Sequence, residues 1–582
     1  MTTEVMPTVQ RDATAAKESS GRLRWAIIGA LVLGWLAAFV WRLWLGHPIT
    51  HPVAHTDEDS YMNAARAIAG GPGGFSSETP LFRRVGYPLL VSPAFLFNLD
   101  FATSYKIVQV INAAISALTL PLAYLLARRM FGLKTWVALA AGVVAVTMPA
   151  GTFWSLVGMT DAVMAPLLLG WFLAVHWWLG DTTRKGAAIT VGALTGALYM
   201  VHVRGTILAA VYFAFLAFLI YRRKATWRLA ALSVVPLVLL VALNQIIIVL
   251  LGDKVHIRGD IVGGGTLEVF TSAQRLQVFF GSLGTNIWYM CVVTAGLAGI
   301  GWALATFEMF RPKRDVAFRW TGGLALFSTL GVALGAALIL AGLVDTNADA
   351  IYSRYVQAFV PFWIVFGFAV VVRSSLREVA KYAVVPVLVL GAGGALIAYR
   401  LHYVAEQGHK LSYGVFGGPD IMTITGGYAN FRPLVGTAIG LAGLAVIVAL
   451  TRFRRLAIPV LVLIVAANLV TMSVMRDRLI QALGDKFSTA IDLKKLGVGP
   501  GDKVALSTRM TNEGYFVMYH DVYWQEVGFL PKSGLPPADV DVVIGRYIPS
   551  YPDYTWNGTK YGFKLLQSTG AADGQVGVWR RQ

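Results

Sequence analysis

A single cysteine, Cys291, stands in 582 residues, and it lies in an apolar run. No disulfide can close within one chain, so cysteine usage carries no information about catalysis. Charge is also scarce. Asp, Glu, Lys and Arg make up 14% of the chain against 56% hydrophobic residues, and the mean hydropathy is +0.62. That balance excludes an ordinary soluble protein. Acidic residues are the scarcer sign, 31 against 49 Lys and Arg, for a net charge of +18. In a soluble chain such an excess would suggest nucleic acid. Here the cations cluster in short connections between apolar runs, which is the positive-inside pattern with added attraction to anionic lipid. A lipid bilayer is expected as a partner, and nucleic acid is not.

What is present is a series of apolar runs of 17 or more residues. Each is long enough to cross a hydrocarbon core of about 30 Å. Hydropathy gives about thirteen spans, from Trp25–Leu45 to Leu456–Val474. The first is too long for a signal peptide and lacks a small-residue cleavage site, so a retained helix is expected. Ala187–Val203 and Thr206–Ile220 are short and closely joined. Ile287–Phe310 and Trp136–Phe153 are each read as one span. With this count, Arg22 and Arg24, Arg128 and Arg129, Arg222 to Lys224, Arg373 and Arg377, and Arg452 to Arg455 share one side, which is then cytoplasmic.

The expected organisation has a polar, disordered cytoplasmic N-terminus over 1–24. A transmembrane domain follows over 25–474, with a first outer loop at 46–104. A soluble extracytoplasmic domain occupies 475–582. In that last segment, Lys503–Ser507 and Val540–Ile544 read as buried strands between Gly, Pro and Asp clusters, so a small α/β domain is predicted. The first outer loop has helical spacing over Asp59–Ala69, broken by Gly70-Gly71-Pro72-Gly73-Gly74. Val85–Phe97 is a second short apolar stretch. Two helices lying in the interface plane fit this pattern. The setting is an inner or plasma membrane, crossed many times.

Thr56-Asp57-Glu58-Asp59-Ser60-Tyr61 holds three consecutive carboxylates at the edge of the first span. Charge there is costly unless it is used or paired. One reading is a general base at a membrane-facing cavity. Another is a helix N-cap whose acids favour the dipole. Three successive acids cannot all face one way. Asp161 opens a later span on the same side as Asp57 and reads either as a site acid or as a cap. Arg204 in His202-Val203-Arg204-Gly205 and Arg354 in Tyr352-Ser353-Arg354-Tyr355 run against the positive-inside bias. Their planar forks match phosphate oxygens, and the alternative is snorkelling to headgroups. Arg83 and Arg84 could meet a phosphate or a sugar or act as interfacial anchors, and Lys254, His256 and Arg258 add positive charge on that face. Acids and arginines together suggest a lipid-borne phosphate substrate. Phosphate leaves readily once its charge is matched, and one carboxylate can deprotonate the attacking hydroxyl. A single displacement of this kind inverts the anomeric centre.

These residues resemble the GT-C superfamily of polyprenyl-phosphate-sugar-dependent glycosyltransferases, nearest the branch of protein O-mannosyltransferases and lipid A aminoarabinose transferases. The match rests on Asp57-Glu58 followed by Tyr61, on Arg84-Val85-Gly86-Tyr87-Pro88, on the placement of Asp161, and on Arg354-Tyr355 followed by Pro361. It covers nearly the whole chain, and it departs from the branch at Val85 and in the extra Asp59. The resemblance implies an all-α polytopic membrane protein with a GT-C fold and a small C-terminal α/β domain. It implies a sugar, mannose or another pentose or hexose, moved from a polyprenyl-phosphate donor to a glycan, lipid or protein acceptor. Asp57 would be the base, with Asp59 the alternative. Glu58 and Asp161 would assist acceptor or cation binding. Arg204 and Arg354 would hold the lipid phosphate, with Arg83, Arg84, Tyr87, Tyr355, Lys254 and Arg258 as further donor contacts. Some relatives bind a divalent cation, and His55 with Asp57 could hold Mg, Mn or Zn.

Two other classes compete. A transporter or flippase would show paired repeats, broken spans and charges near the midplane. An O-antigen polymerase or ligase would share the outer arginines without needing carboxylates directly after the first span. The transferase reading requires Asp57, Arg204 and Arg354 to meet in one hollow.

Overall fold

The computed structural model describes residues 13–55, 57–72, 84–252, 254–255, 269–311, 315–342, 351–406, 417–426, 431–453, 457–488, 491–507, 509–510, 512–522, 524, 527–531, 533–551, 553, 555–569 and 575–582. Thr56, Arg83, His256 and Arg258 lie outside the described residues. Eleven helices among the described residues are long and apolar enough to cross a membrane.

In chain order the helices begin with α1 (Ala13–Gly46), α2 (Asp57–Ile68), α3 (Gly86–Val91), α4 (Phe101–Ala117) and α5 (Thr119–Phe131). Then come α6 (Thr135–Val146), α7 (Pro149–Trp154), α8 (Asp161–Gly180), α9 (Lys185–Val201), α10 (Arg204–Tyr221) and α11 (Trp227–Leu251). The second half has α12 (Ala273–Val293), α13 (Leu297–Met309), α14 (Val316–Gly342), α15 (Val360–Arg373) and α16 (Leu376–Glu406). It closes with α17 (Pro419–Thr425), α18 (Pro433–Arg452), α19 (Ala457–Met475), α20 (Gln481–Lys486) and α21 (Asn512–Asp521).

The predicted spans correspond to these helices, with some divided: Tyr105–Leu126 covers parts of α4 and α5, which meet at Leu118. Trp136–Phe153 is two helices, α6 and α7, because Pro149 cannot continue the α6 hydrogen-bond ladder. Ile287–Phe310 is broken after Val293, where Ala295 and Gly296 take positive φ of 47° and 80°. The helix before that break starts at Ala273, ahead of the expected span start at Ile287. Both halves, α12 and α13, pack along the single long helix α16. The remaining difference is α2. Its expected surface position does not hold, because Glu58 to Ser60 and Met62 to Ala67 are all buried. The C-terminal region covers it, and Asn63 Nδ2 donates to the Tyr519 hydroxyl at 3.0 Å.

Small residues let the helices approach closely. A Cβ on Gly192 of α9 would fall 1.6 Å from the Ser233 carbonyl oxygen of α11, so these two helices touch backbone to backbone. The outermost helices keep apolar side chains exposed, among them Leu33, Val249 and Val470, as a lipid-facing surface requires.

The C-terminal region builds a five-stranded sheet in the order β2-β1-β3-β5-β4. Its strands are β1 (Val504–Ser507), β2 (Gly528–Leu530), β3 (Val542–Arg546), β4 (Phe563–Ser568) and β5 (Val576–Arg581). β1 pairs in parallel with β2 and β3, while β5 runs antiparallel to β3 and β4. The two expected strands fall on β1 and β3. Both are buried along their length, which is why they read as continuous apolar runs.

Candidate active site

The three acids open α2, where the helix dipole favours negative charge. Successive helical residues are turned by about 100°. The three carboxylates therefore point to three different surroundings.

Asp57 keeps 51% of its side chain exposed, and it accepts a hydrogen bond from Arg354 Nη1 at 2.8 Å. Arg354 comes from a short 3-10 turn just before α15. Its Nε donates to Asp161 Oδ2 at 2.9 Å. The other oxygen of Asp161 accepts from Arg204 Nη2 at 2.7 Å. Asp161 and Arg204 sit at the first residues of α8 and α10, so four distant segments meet at one end of the bundle. Asp161, Arg204 and Arg354 are buried, and Asp57 alone of the four reaches solvent.

The guanidinium groups are held firmly. The Arg354 head lies over the Trp154 ring at 5.0 Å, and the Arg204 head lies over the Tyr355 ring at 4.9 Å. Arg204 Nη1 also donates to the Tyr355 carbonyl at 3.3 Å. His202 Nδ1 accepts from Arg204 N and Nε at 3.0 and 3.1 Å, which requires that nitrogen to be unprotonated. Burial, and then the Arg204 charge, push the His202 imidazole well below its ordinary range. A neutral His202 thus aims Arg204 without repelling it. Tyr352 Oη lies 3.3 Å from Arg354 Nη1, and burial raises its phenol.

Glu58 turns into the protein. Its carboxylate accepts from Val53 N and Ala54 N, both at 2.9 Å, and from the Tyr105 hydroxyl and Gly158 N. It ties the loop before α2 to α4 and to the turn before α8. Burial raises its carboxyl pKa against those hydrogen bonds. It is wholly buried, so the expected contact with an acceptor or cation is replaced by a structural one. Gly158 fits the space: a Cβ there would sit 3.0 Å from Glu58 Oε1.

Asp59 turns to the C-terminal region and is also sealed from solvent. His55 Nδ1 lies 3.0 Å from it, and His520 Nε2 of α21 lies 2.7 Å from it. Burial alone would raise this carboxyl, yet His55 and His520 hold it well below the usual carboxylate range. Burial pushes the His520 imidazole down. Phe101 stacks on His520 at 4.4 Å, and Phe516 stacks on His55 at 4.1 Å. Beside them His51 Nε2 meets Asp521 at 2.9 Å. His55 therefore serves Asp59, and the expected His55–Asp57 cation pair is not assembled. Among the described residues no group of three or more His, Cys, Asp or Glu is placed to hold a metal.

The other expected contacts divide. Arg84 donates to Thr206 Oγ1 at 2.9 Å and lies 4.1 Å over the Tyr199 ring, one turn from Arg204. Tyr87 is buried, bonded to Asn112 and edge-on to Tyr61, so it holds the α2–α3 junction. Lys254 is exposed, following α11. His202, Trp154 and Tyr352 were not predicted as site residues. Two of them adjoin Arg204 and Arg354 in sequence, which was the available signal. Trp154 had none.

Chemically, the arrangement offers one solvated carboxylate, Asp57, in contact with the buried Arg354, which shares the buried Asp161 with Arg204. It can accept a proton on the exposed side and present positive charge to a departing anion next to it. A groove of about 370 Å³ is lined mainly by Val, Ile and Leu from α12, α18 and α19, with Asp420 in its wall. Tyr289 donates to Asp420, and burial raises that carboxyl to about 6. Ser353, next to Arg354, binds the Gly417 carbonyl two residues before α17.

No family model matches the sequence. Two curated potassium transport system proteins, the probable Kup 3 of Sinorhizobium medicae and Kup 2 of Rhizobium meliloti, are each 35% identical over 78 residues. That stretch is 13% of this chain, and the chain spans 11% of their length. Among solved structures, ArnT from Cupriavidus metallidurans bound to undecaprenyl phosphate is similar over 94% of this chain and 97% of that one, with a TM-score of 0.51 and 14% identity. ArnT in the apo state matches over 94% and 98%, with a TM-score of 0.50 and 14% identity. At that identity the shared property is the fold alone: a polytopic helical membrane protein with a small C-terminal sheet domain.

Proposed function

We propose that this protein is an integral membrane glycosyltransferase that moves a sugar from a polyprenyl-phosphate carrier to an acceptor hydroxyl or amine. The observation that carries the reading is the meeting of Asp57, Asp161, Arg204 and Arg354 from four distant segments, with only Asp57 open to solvent. Support also comes from the fold shared with ArnT, which was solved with undecaprenyl phosphate.

In this reading the exposed oxygen of Asp57 takes the proton from the acceptor. The acceptor oxygen or nitrogen forms a bond to the anomeric carbon as the bond from that carbon to the phosphate oxygen breaks. The polyprenyl phosphate leaves as an anion, and Arg354 and Arg204 match its charge. A single displacement inverts the configuration at that carbon. Asp57 gives up its hydrogen bond to Arg354 when substrate enters, which frees Nη1 for a phosphate oxygen. Asp161 keeps both guanidiniums aimed throughout. Glu58 and Asp59 position the helix that carries Asp57. The apolar groove beside Asp420 suits a polyprenyl tail. The cation distribution supports a cytoplasmic N-terminus, with the site and the C-terminal domain on the extracytoplasmic side.

The test is turnover of polyprenyl-phosphate-mannose with candidate acceptors by purified protein, read as release of polyprenyl phosphate. Asp57→Asn should abolish it and leave the fold intact. Unchanged turnover in that variant would move the base elsewhere. A transporter reading predicts no release at all and has no use for an exposed acid paired with a buried arginine.

A further inference from the structure

A further cavity has a lining that includes none of Asp57, Asp161, Arg204 and Arg354. It lies in the C-terminal region, has a volume of about 630 Å³, and opens outside the carboxyl ends of β1, β2 and β3. Ser507 and Arg509 approach it from β1, Leu530 and Pro531 from β2, and Arg546 and Tyr547 from β3. These are the three parallel strands. The chain leaves β1 to β2 on one side and then returns to β3 on the other. Parallel sheets bind ligands in the crevice at such a reversal of strand order, because the connections diverge there. The volume is in the range of small-ligand sites.

Its lining is unlike the rest of the molecule. Tyr547, Trp556 and Tyr561 present ring surface, and Trp579 closes the floor. Trp556 and Tyr561 are stacked nearly parallel, with ring centroids 6.0 Å apart and an interplanar angle of 14°. Trp556 Nε1 donates to the Gly534 carbonyl at 2.8 Å, so the ring is fixed in place. Ser533, Thr559 and Asn557 add hydroxyl and amide groups to the same lining. Among the described lining residues, Arg509, Arg546 and Lys560 outnumber the acids, represented by Asp553, so the lining carries net positive charge. The turn after β1, Ser507-Thr508-Arg509-Met510, has no glycine, and close backbone approach to a pyrophosphate needs one. Flat rings beside hydroxyl partners suit the apolar faces and polar edges of sugar rings, and the cations select for carboxylate or phosphate substituents.

We propose that this crevice is a binding site for an anionic oligosaccharide, separate from the Asp57 site. That the bound glycan is the acceptor rests on the proposed transferase, but its binding does not. The link between the sites is α21, which follows β1 and ends with His520 on Asp59, two residues from Asp57.

The experiment is isothermal titration of the full-length protein in detergent with a galacturonic acid hexasaccharide, with maltohexaose as the neutral control. Saturable binding of the acidic chain is expected, with the neutral chain weaker by about tenfold or more. Arg509 is exposed and its replacement leaves the core untouched. Arg509→Glu should weaken the acidic chain by about tenfold or more, and Trp556→Ala should weaken both chains. Asp57→Asn should bind like the parent, which separates this site from the catalytic reading. No binding of either chain overturns the proposal, as does equal binding of the two or binding that both substitutions leave unchanged.

Discussion

Two charged clusters start from the same helix turn and are built on opposite principles. Around Asp57 and Asp161 the partners are guanidiniums, the distances are 2.7 to 2.9 Å, and one acid is left in solvent. Around Asp59 the partners are His55 and His520, and the acid is sealed between aromatic rings. Arginine stays charged at every accessible pH, so the first cluster is a permanent field with one movable member. Histidine changes charge near neutrality, so the second is a joint whose strength depends on pH. Two residues of sequence separate a candidate reaction centre from a clasp that fastens the C-terminal region to the bundle.

The largest expected effects test whether that division is real. Asp57→Asn should lower turnover by about 10²–10⁴-fold, the usual worth of a positioned base, without moving the thermal midpoint. The equivalent change in the clasp, Asp59→Asn, should lower the midpoint first and turnover only as a consequence. If Asp59→Asn alone destroys turnover in a fully folded protein, the base assignment passes to Asp59. Next, Asp161→Asn strips two buried guanidiniums of their shared acid. It should cost about 3–5 kcal/mol of stability, read by denaturation in detergent, because uncompensated buried charge is expensive. A neutral outcome would show that water reaches the pair.

Smaller effects sharpen the contrast. Glu58→Ala leaves the backbone N–H groups of Val53, Ala54 and Gly158 without their acceptor. About 1–3 kcal/mol is expected, with the same midpoint assay as the check. The smallest effect is in the pH profile. Burial holds His520 neutral in the folded chain, below the unfolded value of about 6.5. Its contribution is therefore fully present above that value and is lost as pH falls below it. Asp59, held low, adds a loss in the same direction below about 3.9. The midpoint should thus drop between about pH 7 and 5, and less so in His520→Gln. A flat profile over that window would remove the histidine clasp from the account.

Particular residues show what could be read in advance. The spans were legible because a bilayer imposes one length and one composition on every crossing helix. Breaks were not. Pro149 ends a helix that hydropathy alone carries on to Phe153, and a positive φ at Ala295 divides another. Asp57, Asp161, Arg204 and Arg354 stood out because charge at a span end demands a reason. Trp154 did not, since one tryptophan among 17 in an apolar chain gives no sign that an arginine will lie on it. The clasp was illegible for a different reason. His55 and Asp59 stand 461 and more residues from His520, and no local pattern couples them.

From composition and hydropathy alone followed a multi-span helical chain, the sidedness of its cations and a short set of charged residues worth suspicion. Those properties are additive along the chain, so a linear reading reaches them. The separate fates of Asp57, Glu58 and Asp59 were a matter of packing. Three identical-looking acids are told apart only by which way a helix turn points each one and by what distant segment, Arg354, Tyr105 or His520, arrives to meet it.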